Sequence, residues 1–384
     1  MKICVFTGTR ADYGLLKPLI EKIDNDKYLT LQILVSGMHL SNEFGNTIDE
    51  IKKDGFKVDE EVEILLSSDS DTALLKSAGL GLIGYADALN RLNPDIAVVL
   101  GDRFEALAFA FSAFVKKIPI IHISGGEITE GAIDDSIRHS ITKFAHLHLV
   151  ATEEYKKRAI QLGEEPWRVF NVGEIGLIGM KENLLSKEEF EKSINFELGK
   201  KNMLVTFHPE TLNNNSENDF KEILKALDKL KDTNIIFTKA NADSGGRIIN
   251  KMIDEFVKTH KNSIAFTSLG RKRYLSALQY VDIVLGNSSS GLVEVPSFKK
   301  VTINIGNRQK GRIKAKSIID VQANEKDILK AIELVYSEKF QEKLKNVVNP
   351  YEGDISLDEV LKIIKNIDKT KLLNKKFFDI DFEV

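Results

Sequence analysis

One short segment, residues 122–139, holds the densest collection of ionisable side chains in the chain. It reads HISGGEITEGAIDDSIRH, a glycine-broken loop that runs into an apolar helical pattern. Carboxylates held close together raise one another's pKa, which makes them usable as acids and bases near neutral pH. We therefore predict acid–base chemistry here, with a solvated acidic loop as the alternative. The histidines have no i, i+4 pairing with a third ligand, so the segment does not predict a catalytic metal.

Two more motifs in the first half directly follow predicted strands. The loop TGTRADYG comes after KICVF and contains Arg10, while the strand DIAVVLGD ends at Asp102. Ligands of open α/β sheets bind beyond the carboxyl ends of the strands, and an arginine there can bind phosphate in a bidentate way. The alternatives are a plain turn with a surface arginine for Arg10 and a helix N-cap for Asp102.

The second half repeats this arrangement with phosphate-binding chemistry. His208 ends the strand of the motif TFHPET and is a candidate to bind a phosphate oxygen or to donate a proton, with a packed or capping histidine as the alternative. Residues 286–291, GNSSSG, place hydroxyls and glycines between a strand and a helix, where backbone amides favour anions. The Lys-Ser or Lys-Thr of a Walker loop is absent. The alternative is an ordinary capped helix start.

Two neighbouring features extend the predicted phosphate site. Glu294 follows the serines within the predicted helix and is placed to accept ribose hydroxyls. The segment GNRQKGR, residues 306–312, follows another predicted strand. Its Arg308 and Arg312 are candidates to neutralise a diphosphate.

The glycines of residues 79–84, GLGLIG, match the spacing of a dinucleotide-binding fingerprint but lack its context. That fingerprint requires a strand immediately before it and a helix that begins at the glycines. Here the glycines lie within an amphipathic helical pattern. We therefore expect them to permit close helix packing and do not expect an NAD site.

Alternating strand and helix patterns position all of these motifs. Short β-branched runs alternate with amphipathic stretches in both halves, and the strands are apolar enough to be buried on both faces, as in parallel sheets. The pattern breaks near residue 179. We predict an α/β protein with two Rossmann-like domains facing across a cleft: 1–178 for the sugar and the catalytic carboxylates, 179–365 for the nucleoside diphosphate, and 366–384 as a helix and tail returning to the first domain.

The composition excludes several classes of protein. The chain has 54 Lys and Arg against 57 Asp and Glu, a net charge of −3. It therefore lacks the excess of positive charge that is typical of proteins that bind nucleic acid or an anionic membrane. The single cysteine, Cys4, can form neither an internal disulfide nor a cysteine metal cage. Neither a secretion signal nor a membrane span is evident, so we expect a cytoplasmic enzyme.

Taken together, GTRADYG, GDR, GGE…DDSIRH, HP, GNSSSG…E and GNRQKGR resemble the hydrolysing branch of the UDP-N-acetylglucosamine 2-epimerases. The motifs occur in the right order from about residue 3 to about residue 315. The resemblance implies a fold similar to B-type glycosyltransferases, with a C-terminal helix that packs back on the first domain. It also implies a nucleotide-sugar substrate, no NAD or essential metal, a homodimer or homotetramer, and a place at the start of sialic- or legionaminic-acid synthesis.

The resemblance also implies catalytic or binding roles for individual residues. It implies catalytic carboxylates at Asp102 and Asp134, a phosphate-side histidine at His208, diphosphate contacts at Ser288 and Ser289, a ribose ligand at Glu294, and anion-binding arginines at Arg10 and Arg308. One position departs, because many members read His-Ile-Glu-Gly-Gly-Glu where this chain has Ser124 in place of the first glutamate. Either Glu127 takes over as the third carboxylate or two carboxylates suffice.

The expected reaction begins with departure of the leaving group. The C2 proton of such a sugar is poorly acidic, so loss of the diphosphate must precede its removal by a carboxylate, which gives a glycal. Water then adds at C1 while C2 is protonated on the opposite face. The alternatives are a glycosyltransferase and a non-catalytic nucleotide-sugar-binding module. The sequence does not distinguish N-acetylglucosamine from N,N'-diacetylbacillosamine as the sugar, or uracil from guanine as the base. Ser124 slightly favours the diacetamido sugar.

Overall fold

The computed structural model describes residues 1–68, 70–130, 132–210, 215–240 and 245–381. The chain divides into two compact units. Unit 1 comprises Met1–Glu127, Asp134–Gly179 and Tyr351–Val384, and unit 2 comprises Ile128–Ile133 and Met180–Pro350. Each unit has its own parallel sheet, so the predicted pair of Rossmann-like α/β domains is confirmed. Within the described residues, no helix is long and apolar enough to cross a membrane.

Unit 1 contains a seven-stranded parallel sheet in the order β3-β2-β1-β4-β5-β6-β7. Its strands are β1 (Lys2–Thr7), β2 (Thr30–Ser36), β3 (Glu60–Val62), β4 (Ile96–Leu100), β5 (Ile120–Ile123), β6 (Leu147–Val150) and β7 (Val169–Asn171). Its helices before the crossover are α1 (Arg10–Asp24), α2 (Ile48–Lys53), α3 (Asp71–Leu92), α4 (Phe104–Val115), α5 (Asp134–Phe144) and α6 (Glu153–Gln161).

Strand β1 shows why this sheet has helices on both faces. Ile3 and Val5 point into one apolar cluster, whereas Cys4 and Phe6 point into another. All four side chains are at most 2% exposed. A strand that is apolar at every position is stable only when both faces are covered, as the sequence predicted.

The glycines of GLGLIG lie in the interior of α3, as predicted. A Cβ at Gly84 would lie 2.4 Å from Cγ1 of Val62 on β3, and a Cβ at Gly81 would lie 2.9 Å from the ring of Tyr85. Gly84 therefore permits close packing of α3 on β3, and Gly81 leaves room for the ring of Tyr85 in the same helix. Gly79 differs, since a Cβ there would meet nothing within 4 Å.

Unit 2 contains a six-stranded parallel sheet in the order β10-β9-β8-β11-β12-β13. Its strands are β8 (Lys201–Thr206), β9 (Thr233–Thr238), β10 (Ser263–Phe266), β11 (Ile283–Gly286), β12 (Val301–Ile305) and β13 (Ile318–Val321). Its helices are α7 (Lys187–Ile194), α8 (Ser216–Asp228), α9 (Gly246–Thr259), α10 (Gly270–Tyr280), α11 (Ser290–Val293), α12 (Glu325–Val335) and α13 (Glu338–Lys345).

The C-terminal segment returns to unit 1 and adds α14 (Leu357–Lys365) and α15 (Lys369–Leu373). The apolar face of α14, which includes Val360, Leu361 and Ile364, is buried in the same cluster as Leu16 and Leu19 of α1. The predicted packing of a C-terminal helix on the first domain is therefore confirmed. The return begins at Tyr351 and not at the predicted residue 366, because the whole of α14 packs on unit 1.

Unit 2 also includes a short segment from the first half, Ile128–Ile133, which the sequence assigned to the first domain. The backbone N–H of Glu130 donates to the carbonyl of Lys310 at 3.0 Å, and the two side chains form an ion pair at 2.7 Å. Gly311 lies so close to Ile128 that a Cβ there would approach its Cγ2 to 2.3 Å. These contacts hold the segment against the GNRQKGR loop.

Candidate active site

The carboxyl ends of β4 and β5 bring Asp102 to α5. Leu100 pairs with Ile123 in the sheet, and Asp102 follows two residues after the end of β4. Its carboxylate forms an ion pair with the Arg138 guanidinium, whose side chain is only 1% exposed. Arg138 also donates to the backbone carbonyl of Glu127 at 3.0 Å. One buried guanidinium therefore connects the β4 end, the loop after β5 and α5.

Asp134 is the first residue of α5 and is half-buried. The partial positive charge of a helix N-terminus stabilises carboxylates in the first turn, and Asp135 lies there as well. Arg138 lies one helical turn after Asp134 on the same face. Asp135 lies 3.6 Å from the Arg138 guanidinium. The structure thus places Asp134 on the helix that contacts Asp102.

His122 belongs to the predicted acid–base cluster, but its surroundings give it a structural role. Its Nε2 lies 2.8 Å from the carbonyl oxygen of Gly101, and its Nδ1 lies 3.2 Å from the hydroxyl of Thr142 on α5. Complete burial lowers the pKa of His122 to about 3. The ring is therefore neutral at physiological pH and links the β4 end to α5.

The loop after β5 contains a carboxylate contact that the sequence did not predict. Ser124 donates its hydroxyl proton to Oε2 of Glu174 at 2.7 Å. Glu174 follows β7 and is 4% exposed, and Glu127 is similarly buried at 3%. No local sequence pattern indicates this contact, because the two residues are 50 positions apart.

Arg10 begins α1 and is half-buried at the carboxyl end of β1. The sequence motif indicated Arg10 but not Asp12. The Asp12 carboxylate accepts hydrogen bonds from the backbone N–H groups of Gly8 at 3.3 Å and Thr9 at 3.0 Å. Burial raises the pKa of Asp12 to about 7; Arg103 opposes that rise and Glu105 adds to it. The Thr9–Asp12 spacing of a capping box was the available signal.

In unit 2, Asn287 connects the three predicted phosphate-binding loops, those of the motifs TFHPET, GNSSSG and GNRQKGR. Its side chain accepts from the backbone N–H of His208 at 2.7 Å and donates to the carbonyl of His208 at 2.8 Å. Its own carbonyl accepts from Arg308 at 3.3 Å and from Gln309 at 2.8 Å. Asn287 is completely buried. His208, Arg308 and the serine loop are therefore held together through one residue, by its side-chain amide and its backbone carbonyl.

Glu210 fixes the GNRQKGR loop from the His208 side. Its Oε1 accepts from the backbone N–H groups of Asn307 at 2.7 Å and Arg308 at 3.0 Å. Gly306 has a φ of +73°, and a Cβ there would lie 2.5 Å from the same oxygen. A glycine is thus required both by the backbone conformation and by the close approach of Glu210.

Ser288 and Ser289 are half-buried just after β11, and Ser289 makes no side-chain cap to the following helix. That helix, α11, ends at Val293, so Glu294 terminates it instead of lying along it as predicted. Glu294 is 8% exposed and lies 3.8 Å from the Arg271 guanidinium. Arg312 is half-buried, and its backbone N–H donates to Gln309 at 3.3 Å.

The family model for UDP-N-acetylglucosamine 2-epimerase matches residues 21–365. A GDP/UDP-N,N'-diacetylbacillosamine 2-epimerase (hydrolyzing) of Campylobacter jejuni is 45% identical over 99% of both chains. The polysialic acid biosynthesis protein P7 of Escherichia coli is 41% identical over 99% of this chain and 97% of its own length.

Comparison with solved structures supports the same fold. The UDP-GlcNAc 2-epimerase from Neisseria meningitidis, solved bound to UDP-GlcNAc, superposes with a TM-score of 0.80 over 95% of this chain and 100% of its own, at 19% identity. That likeness concerns the fold, whereas the family is shown by the match over most of the chain and by relatives above 30% identity. The chain belongs to the UDP-N-acetylglucosamine 2-epimerase family.

Proposed function

We propose that this chain is a hydrolysing 2-epimerase that converts a nucleotide-activated 2-acetamido sugar into a nucleoside diphosphate and the free, C2-inverted sugar. The observation that carries the proposal is the 45% identity, from end to end, with the Campylobacter jejuni enzyme named for GDP/UDP-N,N'-diacetylbacillosamine. We therefore favour N,N'-diacetylbacillosamine over N-acetylglucosamine as the sugar. We place the reaction in the cytoplasm, at the start of legionaminic- or sialic-acid synthesis.

In this proposal, unit 2 binds the nucleoside diphosphate. His208, Ser288, Ser289 and Arg308 belong to loops joined through Asn287, which supports their action on one diphosphate. Arg312 adds positive charge and Glu294 accepts ribose hydroxyls, while Arg10 is a further candidate anion-binding arginine. Stabilising the departing diphosphate lowers the barrier to C1–O cleavage.

Unit 1 would then handle the protons of the sugar. Asp102, paired with Arg138, and Asp134, on the same helix as Arg138, are the candidates to remove the C2 proton and to return one from the opposite face. Inversion requires two groups on opposite sides of C2. The ion pair between Asp102 and Arg138, which lies on the helix that begins at Asp134, supports a joint role for these carboxylates. Glu127 is the third candidate.

The deciding experiment offers the protein each nucleotide sugar without an acceptor. UDP- and GDP-N,N'-diacetylbacillosamine and UDP-N-acetylglucosamine are incubated separately, and products are identified by mass spectrometry and NMR. Release of nucleoside diphosphate and a free manno-configured sugar supports the epimerase. A glycosyltransferase would leave the sugar uninverted, and a binding module would leave every substrate intact.

We also propose that the chain forms a homodimer through α3 and α4. Both helices expose apolar side chains, among them Leu75 and Ile83 of α3, which are 75% and 69% exposed, and Phe111 and Val115 of α4. Ile83→Glu is expected to give a monomer, as measured by light scattering. The control is Leu334→Glu on α12, which should leave the dimer unchanged. A monomeric wild type would contradict the proposal.

A further inference from the structure

Hydrolytic epimerisation requires more proton transfers than two carboxylates readily perform. One group removes the C2 proton, a second protonates C2 on the opposite face, and the water that adds to C1 must also lose a proton. These steps act in different places and at different stages. A third acid–base group, aimed at the water, is therefore expected on chemical grounds.

The geometry around Ser124 supplies such a group. Ser124 directly follows Ile123, the last residue of β5. The carbonyl oxygen of Ile123 accepts at 3.1 Å from the backbone N–H of Gly101, the residue before Asp102. The φ of Ser124, +60°, is strained for a residue with a side chain, and among the described non-glycine residues with positive φ it is the buried one. Strain of this kind is retained where a side chain must be aimed.

Glu174 is held firmly enough to serve as the partner of that hydroxyl. Its backbone N–H donates to the carbonyl of Tyr351 at 2.9 Å, and its Oε1 accepts from the backbone N–H of Gly176 at 3.4 Å. Its second oxygen, Oε2, accepts from Ser124 at 2.7 Å. One carboxylate oxygen thus fixes the side chain while the other faces the serine.

We propose that Ser124 and Glu174 act as a pair that takes the proton from the water adding to C1, an inference that rests on the proposed hydrolytic epimerisation. Ser124 is the catalytic residue that contacts the water, and Glu174 is the positioning residue that acts through it. The pair thereby couples a carboxylate to the hydroxyl at position 124.

The step balances without any further reactant. As the water oxygen forms its bond to C1, its proton passes to Oγ of Ser124, and the hydroxyl proton of Ser124 passes to Oε2 of Glu174. The serine is unchanged at the end and Glu174 is protonated. The proton that arrives at C2 comes separately from Asp102 or Asp134. Glu174 then returns its proton to solvent before the next turnover.

The test separates this role from a merely structural one. Glu174→Gln keeps one oxygen to accept from the backbone N–H of Gly176 and presents its NH2 to Ser124, whose hydroxyl then accepts instead of donating, and the amide cannot take up a proton. We expect it to slow hydration of a synthetic 2-acetamidoglycal by ~10²-fold or more. Release of nucleoside diphosphate in the first turnover should fall by less than tenfold, so that free glycal accumulates in the variant and is detected by mass spectrometry.

Two further variants protect the test against misfolding. Ser124→Ala should also release glycal, and Ser124→Glu combined with Glu174→Ser, which moves the carboxylate to position 124, should recover part of the hydration rate. Glu153→Gln is the matched control, since this exposed glutamate accepts a hydrogen bond from the side chain of Asn171, at the end of β7, at 3.0 Å. It should behave as the wild type.

The outcomes distinguish the inference from the function on which it rests. If the wild type turns over a nucleotide sugar and Glu174→Gln and Ser124→Ala both hydrate the glycal within threefold of it, the Ser124–Glu174 role is wrong while the function stands. If the wild type releases neither nucleotide nor inverted sugar from any substrate, the proposed function fails and this inference fails with it.

Discussion

The Asp102 carboxylate is paired with the guanidinium of Arg138, which lies on α5 one turn after Asp134. Because Arg138 is buried and also holds the carbonyl of Glu127, it orients the β4 end relative to the first turn of α5. The side chain that pairs with the Asp102 carboxylate therefore lies on the helix that begins at Asp134.

This relationship predicts the effect of neutralising either carboxylate. Asp102→Asn and Asp134→Asn should each lose ~10²-fold or more of turnover, because an amide keeps the shape but cannot act as a base. Binding of nucleoside diphosphate, measured by calorimetry, should be retained. Turnover within about threefold of the wild type in both variants would remove these residues from the mechanism.

The loops joined by Asn287 predict where nucleotide affinity resides. Ser288→Ala and Arg308→Ala should weaken binding of the nucleoside diphosphate, because each change removes a donor to a phosphate oxygen. Lys316→Ala, at an exposed lysine of the same unit, serves as the control. Unchanged affinity in both loop variants would place the phosphate site elsewhere.

Site residues that follow a strand pattern could be predicted from the sequence, whereas contacts between residues far apart along the chain could not. Arg10, Asp102 and His208 follow apolar runs, so their places at the carboxyl ends of strands could be predicted from a parallel-sheet pattern. Glu174 and Glu210 could not, because their partners lie 50 and 98 residues away. His122 was placed in the acid–base cluster, but its burial and consequent low pKa depend on tertiary packing that the local sequence does not encode.

Asp12 predicts a pH dependence of stability. Its pKa is raised to about 7 in the folded chain, so folding favours the protonated form, and its contribution is lost as pH rises from about 4 to about 7. Between pH 5 and 8 the wild type should lose about 2 kcal/mol of unfolding free energy relative to Asp12→Asn. Urea unfolding at both pH values measures this, with Asp49→Asn, at an exposed carboxylate, as the control. Parallel pH profiles for wild type and Asp12→Asn would refute the prediction.

Arg168 predicts the stability of the C-terminal return. It is completely buried and donates to the carbonyl groups of His146, Leu372, Lys371 and Asn374, the latter three in the returning segment. Arg168→Met leaves these acceptors without their donor and should cost about 3 kcal/mol of unfolding free energy.

The control for Arg168 is an exposed arginine of the same unit. Arg91, whose side chain is 60% exposed, pairs with Glu60 at 2.7 Å. Arg91→Met should cost far less unfolding free energy than Arg168→Met, because solvent screens the exposed pair. Equal losses in the two variants would mean that Arg168 does not anchor the segment.

The central claim, elimination across C1 and C2 followed by hydration, is tested most directly by the fate of the C2 hydrogen. We predict that sugar made by the wild type in D₂O carries deuterium at C2, since the proton removed by a carboxylate exchanges with solvent before C2 is protonated again. In parallel, ¹⁸O placed in the C1–O–P bridge should leave with the diphosphate, because the C1–O bond is the one that breaks. Full retention of the original hydrogen at C2 would contradict the mechanism and, with it, the roles of Asp102 and Asp134.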